Sequence, residues 1–121
     1  MERTGNPEKC PDAVRGCIFG GAAGDALGYP VECLREYEIF DRYGSEGITA
    51  YETAQSCGKA LISDDTQMTL FTADGLLAGD MAGAVRGIRA KPRDYVMKAY
   101  KDWLITQKSF LNGGNRNGKL T

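Results

Sequence analysis

Apolar and polar positions alternate at helical spacing over residues 63–78, which predicts a helix there. Gly79 follows directly, where a glycine commonly ends a helix. The next segment, Asp80 to Lys91, contains two more glycines and three basic residues, and we expect it to be a loop. The apolar side of the predicted helix comprises Met68, Leu70, Phe71, Leu76 and Leu77.

A further helix is predicted to begin near Pro92, because proline suits the first turn of a helix and apolar residues recur beyond it at helical spacing. The segment 108–121 is rich in glycine and asparagine, and we expect a flexible or truncated tail there. The residues expected to face a core are Val96, Ala99, Trp103 and Leu104, flanked by Tyr95 and Tyr100.

The segment from Asp12 to Gly28 has a helical pattern that is rich in glycine. Each glycine costs about 1 kcal/mol in a helix relative to alanine, so packing must stabilise this helix if it forms. The spacing places the glycines along one face, which predicts a buried helix with a close neighbour. A membrane-dimer interpretation is disfavoured by Arg15 and Asp25. The glycines are Gly16, Gly20, Gly24 and Gly28.

A shorter helix is predicted from about Leu34 to Tyr43, with Gly44 placed to end it. Ser45 to Leu61 is expected to be an ordered, irregular connection. Within it, residues 48–51 could form a brief strand, but the neighbouring residues offer little for it to pair with.

Composition narrows the classes of function. Fifteen basic residues oppose sixteen acidic ones, and the net charge of -1 provides no broad field for nucleic acid. Residues 1–11 form a polar arm without the apolar stretch of a signal peptide, and no later stretch is apolar enough to span a bilayer, so we expect a cytoplasmic protein.

The four cysteines lack C-x-x-C spacing and are expected to be reduced, structural thiols. Histidine is absent, which excludes histidine-dependent nucleophiles and imidazole metal ligands.

The Ser63-Asp64-Asp65-Thr66 segment carries the candidate chemistry. Adjacent carboxylates and hydroxyls are the hard oxygen donors that magnesium or manganese requires. The same residues also suit the N-terminus of a helix, where Ser63 or Asp64 could accept hydrogen bonds from free backbone N–H groups. The pattern leaves both interpretations open, and one residue can cap the helix while its neighbour binds a cation.

Two motifs together resemble the ADP-ribosylglycohydrolase family, also called ADP-ribosylation/crystallin J1. They are G-x-x-x-G-D-A-L-G-x-x-x-E, from Gly20 to Glu32, and ISDDTQMTL, from Ile62 to Leu70. The segment from Pro92 to Gln107 resembles a later helix of bacterial members, so the similarity covers roughly Val14 to Gln107. The resemblance implies an all-α fold, here the N-terminal part of the orthogonal helical domain in residues 12–107. It also implies two Mg²⁺ or Mn²⁺ ions and hydrolysis of the bond between ADP-ribose and a modified acceptor.

The resemblance also assigns roles to residues. Ser63, Asp64 and Asp65 match the first group of metal ligands in the family, and Glu32 matches an acidic residue associated with access to the site and with positioning water or substrate. The expected catalytic residues are therefore Glu32 and Asp65. Asp25 matches a motif position whose expected role is structural. A metal-polarised water, with a carboxylate assisting its proton transfer, suits a chain without histidine.

One departure from the family pattern bears on activity. The second ligand motif of the family, Asp-x-Asp followed by Thr or Ser, does not occur in these 121 residues. Half of the ligand set is missing, and we expect little or no hydrolase activity from this chain alone. A truncated gene, a frameshift product and a cloned fragment are equally compatible with this pattern.

The sequence is also compatible, to different degrees, with two functions other than a metal-dependent hydrolase. One is a non-catalytic ADP-ribose-binding or structural, crystallin-like protein that kept the helical scaffold. The other is a phosphate-binding loop at FGGAAGD, which is disfavoured because the Gly-Lys-Ser/Thr sequence is absent and no strand leads into it. The ADP-ribosylated acceptor and the oligomeric state are left open.

Overall fold

The computed structural model describes the backbone of residues 11–114 and the side chains of residues 11–108. No strand occurs between residues 11 and 114, so the predicted all-α fold is confirmed. The chain divides into two compact units, Met1–Thr66 and Gln67–Thr121. The elements are α1 (Pro11–Gly28), a 3₁₀ turn (Tyr29–Val31), α2 (Glu36–Tyr43), α3 (Asp64–Arg86) and α4 (Pro92–Gly114).

Helix α1 forms where it was predicted, but its glycines do not make the expected close contact. A Cβ atom added at Gly16, Gly20, Gly24 or Gly28 would meet no atom within 4 Å among the described residues. Ala26 is the only buried residue of the helix. The prediction of a buried glycine face is therefore wrong for the described part of the molecule.

Helix α2 begins at Glu36, where the Glu38 side chain accepts a hydrogen bond from the Arg35 N–H at 2.7 Å. It ends at Gly44 as predicted, because Gly44 adopts φ +85°, a conformation that favours glycine. The following connection is irregular but ordered. The Tyr43 hydroxyl donates to Glu52 at 2.6 Å, and the Tyr51 hydroxyl donates to the Ala23 carbonyl at 3.2 Å.

Helix α3 is longer than predicted. It continues through Gly79 to Arg86, so the expected C′ glycine and most of the expected loop at residues 80–91 are wrong. Gly79 is a helix residue, and the Tyr95 ring packs against it with ring carbons 3.3 Å from where a Cβ would be. The helix ends instead before Gly87, which has φ +65°.

Helix α4 begins at Pro92 as predicted and continues to Gly114. The helix therefore crosses the boundary placed at residue 108, and residues 115–121 of the expected tail lie outside the described part. Ala99 is buried and Trp103 is half-buried, whereas Leu104 is 47% exposed and does not belong to the packed side. Among the described helices, none combines the length and apolarity that crossing a bilayer requires.

Candidate metal and catalytic site

Asp25, on α1, makes several hydrogen bonds to the start of α3. Its Oδ2 atom accepts from the Ser63 N–H at 2.9 Å and from the Thr66 N–H at 3.3 Å. The same oxygen also accepts a short hydrogen bond from the Thr66 hydroxyl. These bonds satisfy N–H groups that have no partner within the helix. The structural role expected for Asp25 thus has a specific form, a carboxylate that caps α3 from another helix.

Ser63 is the residue that caps α3 locally. Its Oγ accepts from the Asp65 N–H at 3.1 Å, which is the geometry of an N-cap serine. Ser63 and Thr66 are buried, with 4% and 6% of their surface exposed, whereas Asp64 and Asp65 between them are exposed. The capping interpretation is therefore confirmed for Ser63, and both carboxylates remain accessible to solvent.

The hydrogen bonds at Asp25 also affect its ionisation. Desolvation raises the pKa of Asp25, but hydrogen bonds from the side chains and N–H groups of Ser63 and Thr66 together outweigh it. The pKa of Asp25 therefore lies below its ordinary value of 3.8. The carboxylate is negatively charged at neutral pH and faces the positive end of the α3 dipole.

Three of the predicted site residues, Glu32, Ser63 and Asp65, lie around one open cavity of about 200 Å³. The 3₁₀ turn after α1 positions Glu32, whose N–H donates to the Tyr29 carbonyl at 3.3 Å. Glu32 is exposed. Asp64 does not line this cavity. The complete lining is Asp25, Gly28, Tyr29, Glu32, Ser63 and Asp65.

A second open cavity, of about 260 Å³, shares Tyr29 with the first. Its other lining residues are Pro30, Glu52, Thr53, Ala54 and Leu61. Tyr29 was not among the predicted site residues, although an aromatic residue directly after the GDALG motif was a usable signal. Tyr29 is 42% exposed and forms part of the wall of both cavities.

The oxygen atoms around the first cavity fit a hard divalent cation in chemical type. A serine hydroxyl has one hydrogen and two lone pairs. The Ser63 oxygen accepts the Asp65 N–H with one lone pair, so the second lone pair is left for a cation. Within residues 11–108, however, no three acidic or cysteine side chains converge on one point. The donors therefore suit Mg²⁺ or Mn²⁺ but form only part of a coordination shell.

The cysteines lie apart from this chemistry. Cys17, Cys33 and Cys57 are exposed free thiols, and Cys10 lies outside the described residues. The exposure of the three described thiols shows that they are not core residues, which corrects the expectation of a structural role.

The described residues form an all-helical fold, and oxygen donors line a cavity at the N-terminus of α3. A family model described as ADP-ribosylglycohydrolase matches residues 6–120. The chain therefore belongs to the ADP-ribosylglycohydrolase family, and the match extends beyond the Val14–Gln107 range of the resemblance. Comparisons with curated proteins and with solved structures give no match.

Proposed function

We propose that this chain contributes the first half of a dimetal site that hydrolyses ADP-ribosyl bonds. Family membership supports the reaction class, a hydrolase acting on ADP-ribose linkages. The observation that carries the proposal is the shared cavity of Glu32, Ser63 and Asp65. These are three of the four residues that the family motifs select, and they come from two separate segments of the sequence.

Each residue has a proposed role. Ser63, Asp64 and Asp65 are the ligands for Mg²⁺ or Mn²⁺, and Asp64 contributes from outside the cavity lining. When bound, the ions would supply positive charge that polarises a water molecule and binds the ribose hydroxyls. Asp65 and Glu32 are the carboxylates placed to orient the attacking water and to accept its proton. Both are exposed at the cavity and accessible to substrate.

The reaction consumes one water molecule. The bond between the anomeric carbon of ADP-ribose and the acceptor atom breaks, and a new bond forms from that carbon to the water oxygen. One water proton passes to a carboxylate at the cavity and the acceptor atom gains a proton on leaving. The products are ADP-ribose and the unmodified acceptor.

These 121 residues hold only part of the proposed ligand set. They contain no Asp-x-Asp motif, and among the described residues no three acidic or cysteine side chains are grouped so that they could hold a metal ion. A hexacoordinate ion with few protein ligands retains several waters and binds weakly. We therefore expect weak Mn²⁺ binding and little turnover until the second ligand group is supplied by other residues.

The test is a Mn²⁺ titration of the chain followed by electron paramagnetic resonance, in which free Mn²⁺ gives the signal. We expect the wild-type chain to bind Mn²⁺ and the Asp64→Ala/Asp65→Ala double variant to lose at least about tenfold in affinity. Asp41→Ala/Asp102→Ala removes two exposed carboxylates elsewhere and is the matched control. Equal affinity in the double variant and the wild type contradicts the ligand assignment.

ADP-ribose binding tests the substrate class. We expect ADP-ribose to bind the chain more tightly when Mn²⁺ is present, and Glu32→Gln to weaken that binding less than loss of Asp64 and Asp65 does. Binding that is indifferent to Mn²⁺, or the absence of binding, contradicts the proposed function. Calorimetry with and without a chelator gives the comparison.

A further inference from the structure

We infer that Asp25 is a positioning residue for the metal site, holding the first turn of α3 so that Ser63 Oγ and the Asp65 carboxylate face the cavity. The role at the metal rests on the proposed function. The anchoring itself is a property of the metal-free chain and is tested separately.

The argument begins with the place of the hydrogen bonds. Asp25 Oδ2 accepts from the N–H groups of Ser63 and Thr66, the two residues that bracket Asp64 and Asp65. Fixing both ends of a four-residue segment fixes the direction in which the two central side chains project. The burial pattern agrees, since the bracketing residues are turned inward and the two carboxylates face solvent.

The same contacts occupy Oδ2, one of the two oxygen atoms of the Asp25 carboxylate. That oxygen receives two N–H groups and the Thr66 hydroxyl. Donors crowded around that atom leave little room for a cation on it. The Ser63 oxygen, by contrast, accepts the Asp65 N–H with one lone pair and keeps the second lone pair for the ion.

Two substitutions separate positioning from charge. Asp25→Ala removes the acceptor, so both ends of the segment lose their anchor. Asp25→Asn keeps an amide oxygen that can accept the same N–H groups while removing the charge. Asp12→Ala, also on α1, removes an exposed carboxylate that pairs with Arg15 at 3.3 Å, and is the matched control.

The first measurement is amide hydrogen exchange in the metal-free chain. We expect the Ser63 and Thr66 amides to exchange about tenfold faster in Asp25→Ala, because a lost acceptor permits local opening. Asp25→Asn and Asp12→Ala should stay close to the wild-type rates. Wild-type exchange rates in Asp25→Ala would overturn the anchoring role whatever the metal does.

The second measurement is Mn²⁺ affinity by electron paramagnetic resonance. We expect a loss of about tenfold or more in Asp25→Ala and a change within about threefold in Asp25→Asn, as for a group that orients ligands. Overturning results are unchanged affinity in Asp25→Ala, or equal losses in both variants while the Asn variant keeps slow exchange. A wild-type chain that binds no Mn²⁺ overturns the metal site and the positioning at it, whereas the exchange rates still decide the anchoring. If Asp25→Ala does not fold, Asp25→Asn alone decides. A folded Asn variant that keeps its Mn²⁺ affinity supports the positioning role. A folded Asn variant that loses Mn²⁺ affinity while its Ser63 and Thr66 amides still exchange slowly overturns it.

Discussion

Helices α1 and α3 both carry glycines at four-residue spacing, yet their environments differ. At Gly16, Gly20 and Gly24 of α1 an added Cβ would meet no described atom within 4 Å. At Gly75 of α3 an added Cβ would lie 2.9 Å from the Tyr95 carbonyl oxygen and 2.9 Å from the Val96 Cα. The same repeat therefore occurs once on an open face and once at a close contact between α3 and α4.

The difference shows what a glycine repeat does and does not encode. The spacing places glycines on one face, but the residues that approach that face belong to other elements. In α3 the approaching groups are the backbone around Tyr95 and the side chain of Ala99. In α1 the repeat lies beside Asp25, whose hydrogen bonds to Ser63 and Thr66 hold the helix to its unit by polar contacts.

The largest effect is expected at Gly75. Gly75→Ala places a methyl group against the backbone of α4, which must move, and overpacking of this kind costs about 1–3 kcal/mol. The gain in helix propensity offsets about 1 kcal/mol. Because the nearest atoms are backbone at 2.9 Å, we expect a cost in the upper part of that range and a net loss of about 1–2 kcal/mol in the free energy of unfolding. Urea denaturation with Trp103 fluorescence as the reporter measures this loss.

Gly75→Ser adds nearly the same bulk and serves as a second variant at this position. If both variants are as stable as the wild type, the close contact between α3 and α4 does not limit stability and the comparison with α1 fails.

The matched substitution on the open face is expected to act in the opposite direction. Gly20→Ala adds a methyl group where no described atom lies within 4 Å, so only the helix propensity changes. We expect a gain of about 0.5–1 kcal/mol in the free energy of unfolding, observed as a higher urea midpoint at constant m-value. A loss of stability at Gly20 would mean that another surface packs closely on α1 in solution.

These helices also show how far the sequence was informative. Periodicity and the residues Pro92 and Gly44 located α1, α4 and the end of α2, because those signals act within a few residues. The length of α3 was underestimated because Gly79 resembles a terminating glycine unless Tyr95 is known to pack on it. That contact joins segments sixteen residues apart, and the local sequence around Gly79 does not specify it.

The candidate site also has some features that the local sequence predicts and others that depend on contacts between distant segments. The Ser63 cap was predictable, since serine before two acidic residues is a local signal for a helix N-terminus. The motifs selected Glu32 and Asp65, and the structure places both around one cavity with Ser63. The bonds from Asp25 to Thr66 depend on how α1 and the start of α3 meet within the first unit, and no local pattern specifies them.

Gly79 provides an intermediate case. A Cβ there would lie 3.3 Å from carbons of the Tyr95 ring, which is a side chain and can shift more easily than backbone. The helix-propensity gain of about 1 kcal/mol and the cost of moving the ring should nearly cancel. We expect Gly79→Ala to change the free energy of unfolding by less than about 0.5 kcal/mol. In the same urea series, a loss as large as that of Gly75→Ala would show that the ring is held as rigidly as the backbone.

The smallest expected effect is a shift in the pKa of Tyr43. It concerns a polar contact of the first unit, not the close packing of α3 against α4. A hydrogen bond to the Glu52 carboxylate is the main cause that raises the pKa of Tyr43 above its ordinary value of 10.0, and Arg42 partly opposes it. Because the pKa is raised in the folded state, this bond stabilises the protein fully below pH 10.0, and the stabilisation is lost as the pH rises through the higher folded value.

Glu52→Gln should lower the pKa of Tyr43 toward the ordinary value, measured as the difference in phenolate absorbance between each protein and its Tyr43→Phe counterpart. Glu46→Gln, in the same connection, is the control and should leave the titration unchanged. An unchanged Tyr43 titration in Glu52→Gln would mean that the bond does not hold in solution and that the connection after α2 is ordered by other contacts.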